Sequence, residues 1–121
     1  MPQIPNLKTN RYDLEERTFK FSQKVIGFIE KLPKTLVNLE TSKQLFRSAG
    51  SVGANYIEAN ESLGRKDFVM KIKTCKREAK ESCYWLKLTK PEQAETKERE
   101  DLIQEATELM KIFGSIVLKS I

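Results

Sequence analysis

The chain has 121 residues, of which 39% are hydrophobic and 32% are charged, a size and balance that fit one compact domain with its own core. It contains no run of about 18 apolar residues, which a membrane span requires, and its N-terminus lacks the apolar region of a secretory signal. We therefore expect a cytoplasmic protein that does not enter a membrane. The formal net charge of +5 permits an acidic partner without identifying one.

The first helix is predicted after an irregular beginning. Residues 1–12 show no apolar periodicity, and we interpret them as a flexible N-terminal arm. Asp13, followed three residues later by Glu16, is typical of a helix N-cap. The helix therefore runs from about Leu14 to Leu32, because Pro33 ends it. Spacings of four and three residues define its core-facing side, which consists of Leu14, Thr18, Phe21, Val25, Phe28 and Leu32.

A second helix is predicted after a connection at residues 33–41. Its start is placed near Thr41 or Ser42. Gly64 is placed to end the helix. The same spacing gives its core-facing side, which consists of Leu45, Ala49, Val52, Tyr56, Ala59 and Leu63.

Two further helices follow the same rhythm. The third begins at about Lys66 or Asp67, and Thr89 and Pro91 separate it from the fourth. The core-facing residues of the third helix are Phe68, Ile72, Cys75, Ala79, Ser82 and Leu86. Those of the fourth are Leu102, Ala106, Leu109, Phe113 and Ile116, flanked by Ile103, Met110 and Val117.

These four core-facing sides indicate that the helices share one core. No segment alternates apolar and polar residues for long enough to predict a strand. We therefore predict an all-α fold, an antiparallel up-down four-helix bundle that forms a single domain at residues 13–121.

The residues that usually carry catalysis or bind metals are mostly missing. The chain has no histidine, the usual general base near neutral pH and the commonest metal ligand. Cys75 and Cys83 lie roughly 12 Å apart along one helix, too far for a disulfide, so we expect both to be reduced. Glu58 and Glu61 are expected to face solvent or an ionic partner. With no phosphate-binding loop or nucleophile elbow either, we predict a protein that is not an enzyme and has no metal and no cofactor.

The third helix carries a line of positive charge. Lysines recur there every seven residues and so fall on nearly one line along the helix. That line spans about 30 Å, long enough to contact several phosphates of a nucleic acid, and an adjacent tyrosine can stack on an exposed base. The candidate nucleic-acid-binding residues are Lys66, Lys73, Lys76, Arg77, Lys80, Tyr84 and Lys87. Glu78 and Glu81 are expected on the other flank.

A second interpretation of the lysine line is an ion-paired or solvated face. The beginning of the fourth helix is rich in acids, so the lysines can instead pair with that helix or with a neighbouring subunit. The acids are Glu92, Glu95, Glu98, Glu100, Asp101, Glu105 and Glu108.

The second helix carries small residues where a solvated helix usually carries long side chains. Glycine in a helix costs roughly 0.5–1 kcal/mol relative to alanine, so Gly50 and Gly53 indicate a close neighbour. That neighbour is either a second subunit or a large side chain of the same subunit, such as Phe21 or Phe28. Trp85 is likewise expected in the core or at an interface. The candidate oligomer-interface residues are Arg47, Gly50, Ser51, Gly53, Asn55 and Glu58.

Two segments, QLFRSAGSVGANYIEA and GRKDFVMKIKTCKREAKESCYWLKL, resemble the four-helix-bundle proteins named after the intervening sequences of bacterial 23S ribosomal RNA genes. The resemblance covers about Asp13 to Ile121 and rests on Arg47, Ser48, Asn55 and Glu58, on Lys66-Asp67-Phe68, and on Glu78-Ala79-Lys80-Glu81 with Trp85-Leu86. The accessory variability protein of diversity-generating retroelements has a similar fold. It is a basic homopentamer that binds a reverse transcriptase and nucleic acid. The resemblance implies a ring-like homopentamer associated with RNA.

Two functions are compatible with these patterns. The first is a non-catalytic, oligomeric accessory protein that binds RNA or DNA through the third helix. The alternative is a protein-interaction scaffold that recruits a protein partner and does not bind nucleic acid itself.

Overall fold

Four α-helices account for most of the chain. The structure, a computed structural model, describes the backbone of residues 3–121 and the side chains from Leu14 onward. The helices are α1 (Gln3–Lys31), α2 (Leu36–Asn60), α3 (Arg65–Leu88) and α4 (Thr96–Ser120), with a short 3-10 turn at Gln93–Glu95 before α4. Residues 3–121 contain no strand, so the all-helical prediction is confirmed.

The start of α1 differs from the prediction. The helix begins at Gln3, so residues 3–12, which we assigned to an arm, have helical backbone. The side chains of these residues lie outside the described part, as does the predicted cap at Asp13. The other end agrees with the prediction, because α1 stops at Lys31, shortly before Pro33.

The predicted start of α2 was too late. Thr35 is the N-cap, and its side-chain oxygen accepts a hydrogen bond from the backbone N–H of Asn38 at 3.2 Å. The connection from α1 is therefore short, and Thr41, where we placed the start of the helix, is a buried residue inside it. Large apolar residues are exposed in this first part of α2, so no apolar periodicity marks its beginning.

The end of α2 also needs correction. The helix stops at Asn60, and Gly64, which we expected to end it, is instead the N-cap of α3 in an extended conformation, with φ −147° and ψ 164°. Leu63, which was predicted to face the core, lies in the link between the helices and is fully exposed.

The predicted core-facing sides meet in one hydrophobic core. Apart from Leu63, the predicted residues of α1 and α2 are buried, and Phe68 and Ile116 are partly buried at its edge. Trp85 also packs against the core while remaining partly exposed. The buried hydroxyls of Ser48 and Ser82 meet between α2 and α3, where their oxygens are 3.0 Å apart and share a hydrogen bond. The core thus fixes which side of each helix reaches the surface.

Side-chain contacts show how the helices are placed. Along α2 and α3, Lys71 pairs with Glu58, and Arg47 pairs with Glu78. Residue numbers rise on one helix as they fall on the other, so α2 and α3 run in opposite directions. The remaining neighbours are α1 with α2, α3 with α4, and α1 with α4. Within residues 3–121, no helix is both long and apolar enough to cross a bilayer.

Candidate nucleic-acid interface

The outer side of α3 presents the predicted line of lysines. Residues such as Ile72, Cys75 and Ala79 are completely buried on the core side of this helix. The four residues of the lysine line, which are Lys66, Lys73, Lys80 and Lys87, are all exposed. None of them forms an ion pair with another residue whose side chain the structure describes. Their ammonium groups are therefore available to an external anion.

Three further predicted residues lie beside this line. Lys76 extends over Gly114 of α4, where a Cβ on the glycine would be 3.7 Å from both Cε and Nζ of the lysine. Arg77 is exposed. Tyr84 is 58% exposed, and its ring makes a T-shaped contact with the ring of Trp85, with centroids 4.9 Å apart and planes at 76°. The half-buried indole thus supports one side of the tyrosine and leaves much of the phenol in solvent.

Three acids of α4, namely Glu98, Glu105 and Glu108, pair with basic residues of α1. The guanidinium of Arg17 donates to both carboxylate oxygens of Glu105, at 2.7 and 2.9 Å, and to Glu108 at 2.8 Å. Lys31 pairs with Glu98 at 2.9 Å. The contacts with Glu105 and Glu108, chiefly the hydrogen bond with Glu105, raise the pKa of Arg17. Hydrogen bonds from Gln104 and Arg17 lower the pKa of Glu108.

Two other acids of α4 pair within their own helix. Asp101 bonds to Lys97 at 3.2 Å and Glu100 to Arg99 at 3.3 Å. Among the described side chains, no acid of α4 pairs with the lysine line. The interpretation in which α3 lysines pair with α4 of the same chain was therefore wrong, because those acids face α1 or bond locally. Pairing with a neighbouring subunit stays a prediction.

Glu78 and Glu81 of α3 lie on the flank that contacts α2. Arg47 bonds to Glu78 at 3.3 Å and to Glu81 at 2.9 Å. On the same flank, Lys71 bonds to Glu58 at 2.8 Å, and the hydrogen bond raises the lysine pKa. Both acids thus pair with Arg47 of α2, while the outer side of α3 is cationic.

The contacts of Arg47 and Glu58 change the interpretation of α2. We predicted that both belong to an oligomer interface, but each already has a partner on α3. Asn55 donates to the backbone oxygen of Ser51 one turn earlier. Gly53 has a neighbour within the chain, since a Cβ there would lie 3.1 Å from Oγ1 of Thr18. The close neighbour is therefore Thr18 and neither Phe21 nor Phe28.

Gly50 lies in a different environment, beside an open groove between α1 and α2. A Cβ at Gly50 would meet no described atom within 4 Å. The groove is lined largely by apolar atoms of residues including Ile26, Phe46, Ala49 and Ala54. Ile26 is 40% exposed and Phe46 is 60% exposed. We did not predict this groove, because Ile26 and Phe46 lie outside the four-and-three spacing of the core-facing residues. Large apolar residues outside that spacing were the feature of the sequence that could have indicated an exposed apolar surface.

The two cysteines lie within the packed helices of the described part of the chain. No cluster of three or more histidine, cysteine or acidic residues suited to a metal occurs among the described residues. Both cysteines are buried and free, and burial raises the pKa of the Cys75 thiol to about 12. The Cys83 sulfur lies 3.5 Å from the hydroxyl of Thr107. These thiols belong to helix packing.

The comparisons with known proteins agree with the fold. One solved structure is that of a protein with unknown function from the S23 ribosomal protein family of Bacteroides thetaiotaomicron. It is 28% identical, with a TM-score of 0.69, and the match covers 85% of this chain and 96% of that one. No curated protein matches the chain significantly. The family model of the 23S rRNA-intervening sequence proteins matches residues 11–115. The chain therefore belongs to the family of 23S rRNA-intervening sequence proteins.

Proposed function

We propose that this protein is a non-catalytic accessory protein that binds RNA through the outer side of α3. The observation that carries the proposal is the line of exposed lysines with no ion pair among the described residues, while the acids of α4 bond to α1 or within α4. The contacting residues are Lys66, Lys73, Lys76, Arg77, Lys80, Tyr84 and Lys87.

The physical basis of this binding is electrostatic. Each ammonium group that approaches a phosphate releases counterions from the nucleic acid, and binding weakens as salt concentration rises. Exposed lysines contribute little individually. An oligomer repeats the same line on every subunit, and multivalent contacts can then give useful affinity.

We further propose that the chain is an up-down bundle that assembles into a ring-like homopentamer in the cytoplasm, as the similarity to the accessory variability protein of retroelements implies. The groove between α1 and α2 supports self-association, because it exposes apolar surface at Ile26 and Phe46 beside Gly50 and Ser51. Arg47 and Glu58 do not bridge subunits in this proposal, since both are paired within the chain.

Fluorescence anisotropy of a labelled structured RNA, titrated with the protein at several salt concentrations, tests the proposal. We expect binding that weakens steeply with salt. Charge reversal of the lysine line, K66E, K73E, K80E and K87E, should abolish binding at about 150 mM salt. A matched variant reverses four exposed lysines on other surfaces and so has the same net charge: K24E, K34E, K111E and K119E. It should bind more tightly than the first variant.

Thermal unfolding and molar mass complete the experiment. Both variants should unfold cooperatively as four-helix proteins and keep the mass of the wild type. If reversal of the lysine line instead breaks the oligomer, that line is a subunit interface. The absence of RNA binding even at about 50 mM salt would contradict the proposal. The second candidate, a protein-interaction scaffold, would then be favoured, because the α1–α2 groove offers an apolar surface to a protein partner.

A further inference from the structure

A second line of side chains runs beside the lysine line on α3. Met70, Arg77 and Tyr84 also follow one another at seven-residue steps, and each follows a lysine of the lysine line by four residues. Residues four apart on a helix are neighbours on its surface. Met70 is 56% exposed and Tyr84 is 58% exposed. The outer side of α3 therefore presents a cationic line and, next to it, a line with apolar and aromatic surface, which we call the stacking line.

The stacking line is not explained by the folding of the chain. The core of α3 is formed by other residues, and Met70 and Tyr84 expose more than half of their surface. A duplex would not use this surface, because its bases are already stacked on each other and present only phosphates and groove edges to a straight helix. An unpaired strand has phosphates on one side and accessible base faces on the other, which matches the two lines.

From this juxtaposition we infer that the outer side of α3 binds an unpaired polynucleotide strand, with phosphates along the lysine line and bases against Met70, Arg77 and Tyr84. This inference rests on the proposed function and adds the form of the nucleic acid. Tyr84 supplies the principal stacking surface, since it is the aromatic side chain of the stacking line and is more than half exposed. The Arg77 guanidinium can stack on a neighbouring base as well.

The test compares four probes of one sequence, about 12 nucleotides long, a length within the usual range of single-strand sites. They are the single-stranded RNA, its RNA duplex, the single-stranded DNA and its DNA duplex, all titrated by anisotropy at the same salt concentration. We expect each single strand to bind at least about tenfold more tightly than its duplex, because stacking adds to the phosphate contacts. Tighter binding of RNA than of DNA would assign the strand to RNA.

Substitutions of Tyr84 separate stacking from charge. Tyr84→Ala should weaken single-strand binding by about 5- to 150-fold, the range for loss of one base–aromatic stack, and leave duplex binding unchanged. Tyr84→Phe should retain binding because the ring remains. Phe19→Ala is the matched control, since Phe19 is an aromatic residue of similar exposure on α1. Trp85, the single tryptophan, should lose fluorescence when a single strand binds and not when a duplex does.

The outcomes distinguish the two proposals. If duplex and single strand bind equally and Tyr84→Ala has no effect, the inference is overturned while the proposed phosphate contacts remain. If no probe binds, both are overturned. Equal binding of single-stranded RNA and DNA would support the unpaired strand and overturn the restriction of the proposed function to RNA.

Discussion

Asn38 and Lys90 bond to each other in both directions across the end of the bundle. The side-chain amide of Asn38 donates to the Lys90 backbone oxygen at 2.9 Å, and the Lys90 backbone N–H donates to Asn38 Oδ1 at 2.8 Å. The same amide donates to the Pro33 oxygen at 2.9 Å. One buried side chain thus joins the α1–α2 link to the segment after α3, where backbone groups would otherwise lack partners.

The contacts of Asn38 predict a large loss of stability when it is truncated. Asn38→Ala removes all three hydrogen bonds of a buried side chain and leaves partly buried backbone groups of Pro33 and Lys90 without these partners, so we expect about 2–4 kcal/mol less free energy of unfolding. Urea unfolding measures this change. The matched control is Asn55→Ala, which removes one local bond to Ser51 on the same helix and should change stability by less than about 1 kcal/mol. If the two substitutions lower the free energy of unfolding equally, Asn38 does not hold the α1–α2 link to the segment after α3.

The two glycines of α2 should respond to alanine in opposite ways. At Gly53 a Cβ would lie 3.1 Å from Oγ1 and 3.3 Å from Cβ of Thr18. Thr18 cannot easily move, because it is buried and its hydroxyl donates to the Leu14 oxygen at 2.7 Å. We expect Gly53→Ala to destabilise the protein by about 1–3 kcal/mol.

Gly50 has open space where its Cβ would be. Gly50→Ala should therefore stabilise the helix by about 0.5–1 kcal/mol, because alanine restricts the unfolded chain and favours helix. Thermal unfolding of both variants at equal protein concentration measures the difference. A lower free energy of unfolding for Gly50→Ala than for the wild type would contradict the open space beside Gly50.

The apolar groove predicts which substitution affects assembly. Phe46→Glu introduces a charge on the groove between α1 and α2, so it should lower the molar mass measured by light scattering, because a buried unpaired charge opposes association. Met70→Glu is the control, since Met70 is similarly exposed but lies on α3, away from the groove. If Phe46→Glu keeps the wild-type mass, the groove is not the subunit interface.

The sequence predicts the core better than the ends of the helices. Spacings of four and three residues identify core-facing residues such as Phe21, Val52 and Leu109 because burial follows the helical period. The same rule misses the beginning of α2, where Leu36, Val37 and Leu39 are exposed. It also places Leu63 in the core, because the spacing continues for one turn after the backbone has left the helix.

The candidate site could be predicted in part for the same reason. The lysine line follows from residue spacing within one helix. The pairing of Arg17 with Glu105 does not, because 88 residues separate the two and their contact depends on α1 and α4 being neighbours. The contacts of Arg17 show that Glu105 and Glu108 face α1 and not the lysine line. The groove at Phe46 likewise depends on the space between two helices.

The buried thiol of Cys75 should be unreactive in the folded protein. Thiolates are the reactive form of cysteine, and burial raises the pKa of this thiol to about 12. In Cys83→Ser, which has Cys75 as its single cysteine, iodoacetamide at about pH 8 should modify the denatured chain and not the folded one. Mass spectrometry measures the modified fraction. Rapid modification of the folded variant would mean that Cys75 is accessible.

The network of Glu108 predicts how acid affects stability. Hydrogen bonds from Gln104 and Arg17 hold the pKa of Glu108 below its ordinary value. Because the folded-state pKa is the lower one, the stability from this carboxylate is present above the unfolded-state pKa, about 4.3. It is lost as pH falls through the folded-state value.

Urea midpoints between about pH 6 and pH 3 test this assignment. The midpoint of the wild type should fall more steeply with acid than that of Glu108→Gln, in which the titrating group is absent. Glu108 is exposed, so the difference should be small and should shrink in high salt, where ion pairs at the surface are screened. Parallel pH profiles for the two proteins would contradict an interaction of Glu108 with Arg17 in the folded state. Of the two acids that contact Arg17, Glu105 alone would then hold α4 to α1 through the guanidinium.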